Sequence, residues 1–238
     1  MSTIRMTTTG TTPIGATPIG ATRGAQGHAV VTDQIRPSVS SAPDAATGRP
    51  LPGQPVPPLQ VSMVGGPCWR LCDQKPKHFT LVVAYRGAAC GHCRDFLKAI
   101  NDRLEAFQRR GVAVVAVSAD SRAEAESFAE AAGLDRLAIG WGLKPERAQD
   151  WGIYMSAETG RPAAAGFICE FAMFLVRRDG TLQLSHVQSG PFLWPSVDEV
   201  LEAIDGMIAR GPELTGDLTP ETAGAAASRP GPRSIPGC

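Results

Sequence analysis

Long apolar runs are missing from this chain of 238 residues. The longest, such as Val112 to Val117 and Phe171 to Val176, fall far short of the ~20 residues that cross a bilayer as a helix, so no membrane span is expected. An excess of charge is missing too. Lys and Arg number 23 and Asp and Glu number 23, which leaves neither the positive footprint of a nucleic-acid binder nor a polybasic membrane patch. Cysteine is scarce, with six in 25.0 kDa, too few for a disulfide-stapled secreted scaffold, so spacing carries more information than count. Residues 1–30 hold no continuous apolar stretch of secretory type, and a cleaved export signal is not expected. Their acid-free, Thr-rich composition around Arg5 and Arg23 bears a faint likeness to an organellar transit peptide. With no export signal in view, a reducing cytoplasm is the default compartment.

Large apolar side chains are also few at both ends. Residues 1–55 are dominated by Thr, Gly, Pro and Ala and repeat one pentapeptide, Thr12 to Ala16 and Thr17 to Ala21. Such a segment buries too little to offset the entropy of ordering it, and it is expected to be a disordered tail, as are residues 212–238. Residues 56–211 remain as one domain with a real core.

Within that domain the period of the apolar residues alternates. Phe79 to Tyr85 is nearly all apolar and rich in β-branched residues, the mark of a strand buried on both faces. From Cys93 onward Phe96, Leu97, Ile100, Leu104 and Phe107 fall at helical spacing, and Gly111 closes the element. Val112 to Val117 gives a second buried strand, and Ser121 with Glu124 caps a helix lined by Phe128, Ala129 and Ala132. A short helix near Pro145 to Trp151 follows. Ala172 to Arg177 and Thr181 to Val187 flank Asp179-Gly180 as a hairpin, and Ser196 with Glu199 caps a last helix. Leu59 to Met63 and Trp69 to Leu71 read as an added N-terminal hairpin around Gly65-Gly66. The order βαβα then ββα predicts an α/β, thioredoxin-like fold, a central mixed sheet flanked by helices.

The one C-x-x-C, Cys90-Gly91-His92-Cys93, falls where the first strand of that unit meets its helix. A cysteine reacts as the thiolate, and the unpaired N–H groups of a helix N-terminus favour that anion. His92, with Arg86 and Arg94 nearby in sequence, adds positive charge. Cys93, one turn in, is placed to attack a mixed disulfide or sulfenic acid on Cys90. The expected catalytic set is therefore Cys90 as nucleophile and Cys93 as resolving thiol, with His92 and Arg86, and with no metal and no cofactor. Other readings stand beside it. The pair could be inert core, or Cys68 and Cys72 could join it as four thiolates around zinc in a structural module. His92 could be merely a solvated helix-start residue. Cys169 reads as core, Cys238 as incidental in a tail, and neither His78, His186 nor the Trp residues receive a role.

The stretches Tyr85-Arg86-Gly87 leading into Cys90-x-x-Cys93-Arg94, Val114 to Asp120, Phe174 to Thr181 and Val187 to Phe192 together make residues 55–208 resemble the peroxiredoxin-like branch of the AhpC/TSA family. That resemblance implies an antioxidant thiol oxidoreductase, reducing peroxides or disulfides through Cys90 with electrons from a thioredoxin- or glutathione-type reductant. A peroxiredoxin-type peroxidase is the nearest alternative. The family pattern P-x-x-x-T-x-x-C is departed from at Val83 and Gly87, and Phe171 stands near the position where peroxiredoxins carry Arg and thioredoxins a cis-proline. The dipeptide Gly91-His92 is similar to that of protein disulfide isomerases, with Ala89 replacing their Trp. Nothing in the residues sets the oligomeric state.

Overall fold

The computed structural model describes residues 49–157, 166–211 and 214–216. Most of the two expected tails, and Cys238 with them, lie outside these residues. Nine strands and five helices are described: β1 Gln60–Met63, β2 Gly66–Arg70, β3 Phe79–Ala84, α1 Gly91–Asp102, α2 Leu104–Arg109, β4 Val112–Val117, α3 Arg122–Ala131, β5 Ala138–Trp141, α4 Pro145–Asp150, β6 Met155–Ser156, β7 Ile168–Cys169, β8 Ala172–Arg177, β9 Leu182–Val187 and α5 Val197–Arg210. Seven strands form one sheet in the order β2-β1-β5-β4-β3-β8-β9, and β6 pairs with β7 apart from it. The sheet is mixed, as the element order predicts. β3 runs parallel to β4 and antiparallel to β8, and β1 and β2 make the added hairpin on β5.

β3 is central, and every residue in it is buried. Phe79, Leu81 and Val83 face a core closed by α1, α2, α3 and α5, while Val82 and Ala84 face a second core closed by α4 and the N-terminal segment. Both cores are continuous apolar clusters, which is why β3 shows no polar alternation. Capping boxes at Ser121 with Glu124 and Ser196 with Glu199 start α3 and α5 at the residues expected. Among the described residues no helix is long and apolar enough to cross a membrane.

Three features differ from the expectations. The helix after Cys93 does not run unbroken to Gly111. Arg103 donates its N–H to the Ile100 carbonyl and accepts from Ala106 at 2.8 Å, three-residue bonds that split the element into α1 and α2. Ile100, Leu104 and Phe107 stay buried across the break, so their spacing could not reveal it. The chain is also tied down ahead of β1. Gly53 N–H donates to the Leu182 carbonyl at 2.7 Å, and Leu182 N–H returns a bond to Gln54 at 2.9 Å, although composition places both residues in the tail. Finally, β5 lies in a Trp- and Gly-rich stretch to which the sequence reading assigns no strand.

Asn101, buried at the end of α1, aligns β5. Its Oδ1 accepts from Arg136 N–H at 3.0 Å and Leu137 N–H at 2.9 Å, and its amide donates to Asp135 Oδ1 at 3.0 Å and to the Gly133 carbonyl at 3.3 Å. Asn101→Ala strips all four partners at once. It is expected to lower the unfolding free energy by about 2 kcal/mol, read as an earlier urea midpoint at an unchanged slope.

Candidate functional site

The C-terminal end of β3 delivers the chain through Tyr85, Arg86 and Gly87 to the first turn of α1. Cys90 is the N-cap of α1, in extended backbone, and its sulfur accepts the Cys93 N–H at 3.2 Å. Cys90 N–H donates to the Gly87 carbonyl at 3.1 Å, which fixes the turn. The first turn of α1 carries no carboxylate, so nothing there opposes an anion on Cys90. Cys90 and Cys93 are joined as a disulfide with Cα atoms 5.2 Å apart, within the usual range for such a bridge. The two thiols are unequal in access. Cys90 is half-buried, whereas Cys93 is fully enclosed against the core of α1.

The expected cations take different places. His92 is exposed on the first turn of α1 and makes no hydrogen bond or ion pair among the described residues. Arg86 is half-buried and its Nε lies 3.1 Å from Oε2 of Glu170, whose side chain is only 3% exposed. Glu170 also accepts a hydrogen bond from the Ser156 hydroxyl at 2.6 Å. Sequence reasoning missed Glu170. The available signal was a single acid set in the apolar series from Phe167 to Val176, because a buried charge is retained only with a partner.

An aromatic group stands beside the pair. Phe171, fully buried, stacks on Trp194 with ring centroids 3.7 Å apart and meets Phe96 of α1 edge-on at 5.4 Å. Trp194 also meets Phe96 edge-on at 5.2 Å. Near Gly87, the Ser118 hydroxyl donates to Asp120 Oδ2 at 3.0 Å, and the buried Tyr85 hydroxyl lies close by without a well-aligned hydrogen bond. Burial holds the Tyr85 proton on above the ordinary phenol range, with Asp120 adding to the effect.

The other cysteines among the described residues do not join this group. Cys68 and Cys72 are exposed, on β2 and in the short turn after it. Among the described residues no three His, Cys, Asp or Glu side chains are grouped as metal ligands, so the four-thiolate site weighed from sequence is not assembled. Cys169 packs in the α4-side core, across the sheet from Cys93. Burial, aided by Asp120 and Glu170, pushes its thiol up to about 12. An unfolded thiol ionises near its ordinary value of 9.0, so between the two values the folded state holds the proton and the unfolded state does not. Stability present below pH ~9 is therefore lost as pH rises through that window, at up to about 1.4 kcal/mol per pH unit. Urea denaturation between about pH 9 and 10, before unfolded Tyr85 ionises, should show this decline, and Cys169→Ala should flatten it there.

The sequence profile of the AhpC/TSA family matches residues 52–185. No curated protein sequence matches the chain significantly. Among solved structures the chain is similar to the peroxidoxin BcpB from Mycobacterium tuberculosis, at 15% identity and a TM-score of 0.54 over 67% of this chain and 99% of the other. It is similar to a Plasmodium vivax 2-Cys peroxiredoxin in its reduced form, at 19% identity and 0.55 over 66% and 96%. A mutant peroxiredoxin 6 of Arenicola marina matches at 20% identity and 0.56 over 71% and 80%. These likenesses establish the thioredoxin-like fold.

Proposed function

Because this chain belongs to the AhpC/TSA family and is accordingly a thiol-dependent oxidoreductase, we propose that Cys90 and Cys93 are its reactive couple, with Cys90 the nucleophile and Cys93 the resolving thiol. One observation carries the assignment: a half-buried cysteine caps a helix N-terminus while a fully enclosed one sits a turn behind it. The family implies a peroxide substrate and a thiol reductant in general terms.

In disulfide reduction the Cys90 thiolate attacks one sulfur of the substrate and releases the other as a thiolate. Cys93 then loses its proton to solvent, attacks the mixed disulfide at Cys90, and expels the second half, leaving Cys90–Cys93 oxidised. With a peroxide, Cys90 takes one oxygen and releases water or an alcohol, and Cys93 condenses with the sulfenic acid to give the same disulfide and water. A reductant of thioredoxin or glutathione type returns two electrons. The N–H of Cys93 holds the Cys90 anion in either cycle. Exposed His92 stands at the rim as a ring nitrogen donor, and Arg86 acts from its seat on Glu170.

Disulfide exchange is the favoured half of this chemistry. The position near which peroxiredoxins carry an arginine is filled by Phe171, and its ring, held between Phe96 and Trp194, offers no donor to a peroxide oxygen. Residues 56–211 are taken as the catalytic domain, and a reducing cytoplasm as the compartment that recharges it.

Mild oxidation followed by non-reducing peptide mapping tests the assignment. The expected product is a Cys90–Cys93 bond. If both thiols stay reduced while another pair bonds, the assignment fails.

A further inference from the structure

A second thiol site lies on the opposite side of the sheet from α1. The N-terminal segment around Val56 to Gln60, the turn after β2, and the turn of the β8–β9 hairpin line a cavity of about 370 Å³, within the size range of small-molecule sites. Its lining includes four cations, Arg70, Lys75, Arg177 and Arg178, against one carboxylate, Asp179. Arg70, Lys75 and Arg178 form no ion pair among the described residues. The Lys75 ammonium donates only to the Cys72 carbonyl, at 3.0 Å, and so stands over that residue. Thr80 of β3 also lines the cavity. It is 2% exposed.

Cys72 is a free, exposed cysteine in the same lining, its thiol donating to the Asp73 carboxylate at 3.6 Å. We propose that this cavity is a docking and mixed-disulfide site for anionic low-molecular-weight disulfides, the oxidised form of small carboxylate-bearing thiols, with Cys72 as the modified residue. The cations hold the carboxylates, and the Cys72 thiol gives its proton to solvent. The resulting thiolate attacks the nearer sulfur of the ligand. One S–S bond breaks, one forms to Cys72, and the other half departs as a thiolate, so that Cys72 is oxidised as the small disulfide is reduced.

Cys68 supplies an internal reference. It is equally free and exposed four residues earlier, but its own cavity holds a single cation, Arg122, already paired with Glu126. The experiment uses the full chain with Cys90→Ser and Cys93→Ser, so its outcome does not depend on the roles proposed for that pair. The protein is exposed to oxidised glutathione or to neutral 2-hydroxyethyl disulfide, and adducts at Cys72 and Cys68 are timed by peptide mass spectrometry. With oxidised glutathione Cys72 should react about tenfold faster than Cys68, an advantage that shrinks as salt rises. With the neutral disulfide the two should differ by less than about threefold, since no charge steers it. Adding Arg70→Ser and Lys75→Ser should bring Cys72 down to the Cys68 rate with oxidised glutathione while leaving its rate with the neutral disulfide unchanged. Equal rates at Cys72 and Cys68 with oxidised glutathione overturn the proposal. So does a preference for Cys72 that is as large with the neutral probe, or a double variant that slows both probes alike.

Discussion

Cys90→Ser is expected to abolish turnover, lowering kcat/KM with peroxide or disulfide substrate by roughly three orders of magnitude or more. Serine at the cap of α1 can still accept the Cys93 N–H, so the fold and the start of the helix should persist while the attacking sulfur is gone. Cys93→Ser should behave differently, because Cys90 keeps both its access and its N–H donor. One equivalent of substrate is consumed at close to the normal rate, after which the protein stalls as a sulfenic acid or a mixed disulfide on Cys90. Stopped-flow kinetics with a dimedone trap, or mass spectrometry of the stalled protein, separates the two variants. Sustained turnover by Cys90→Ser, with loss on Cys93→Ser, would reverse the assigned roles. Exchange of the roles is opposed by burial: Cys93 is wholly enclosed, and a substrate disulfide could reach it only by opening the first turn of α1.

The strands and helices around this pair were legible because their sequence signals are local. An unbroken apolar run marks β3, and Ser-x-x-Glu marks the start of α3 and α5 at the residue. β5 was not legible. Its four residues, Ala138-Ile139-Gly140-Trp141, include a glycine that strand patterns disfavour, and the reason for that glycine is tertiary. A Cβ on Gly140 would lie 2.7 Å from Val61 of β1 and 3.1 Å from Val117 of β4, so the strand must be thin where two neighbours close on it. The alignment of β5 by Asn101 is tertiary too, spanning more than thirty residues of chain. In the site, Cys90 and Cys93 were read from spacing alone, whereas Glu170 was not. Its pairing with Arg86 joins the turn after β3 to the residue before β8, and no local pattern encodes a contact across that separation. Arg86 was expected near the thiols for its charge. The structure gives that charge a buried carboxylate as its partner.

Gly87→Thr is expected to unfold the site instead of installing the threonine that the peroxiredoxin pattern places three residues before its cysteine. Gly87 has φ of 112°, a conformation that costs a residue with a side chain about 1–3 kcal/mol. A Cβ there would stand 2.3 Å from Asp120 Oδ1 and 3.0 Å from its Cγ. Asp120 is not free to yield, since its other oxygen accepts the Ser118 hydroxyl and its carbonyl accepts Gly142 N–H at 3.0 Å. Strain and collision together should lower the unfolding free energy by about 4 kcal/mol, a fall in Tm of roughly 8–16 °C for a domain of this size. Gly87→Ala should lose somewhat less. Because the Gly87 carbonyl anchors Cys90 N–H, the damage should reach the cap of α1 and slow disulfide exchange as well. Adding Asp120→Ala to Gly87→Thr removes the collision but not the strain, so the double variant should recover part of the stability, a coupling of about 1–2 kcal/mol. Calorimetry on the four proteins of this cycle decides the matter, and an unchanged Tm for Gly87→Thr would sink the argument. The space a side chain would need at Gly87 is occupied by the Asp120 carboxylate. The departure at Gly87 is therefore built into the packing beneath Cys90, and substituting that residue alone cannot reverse it.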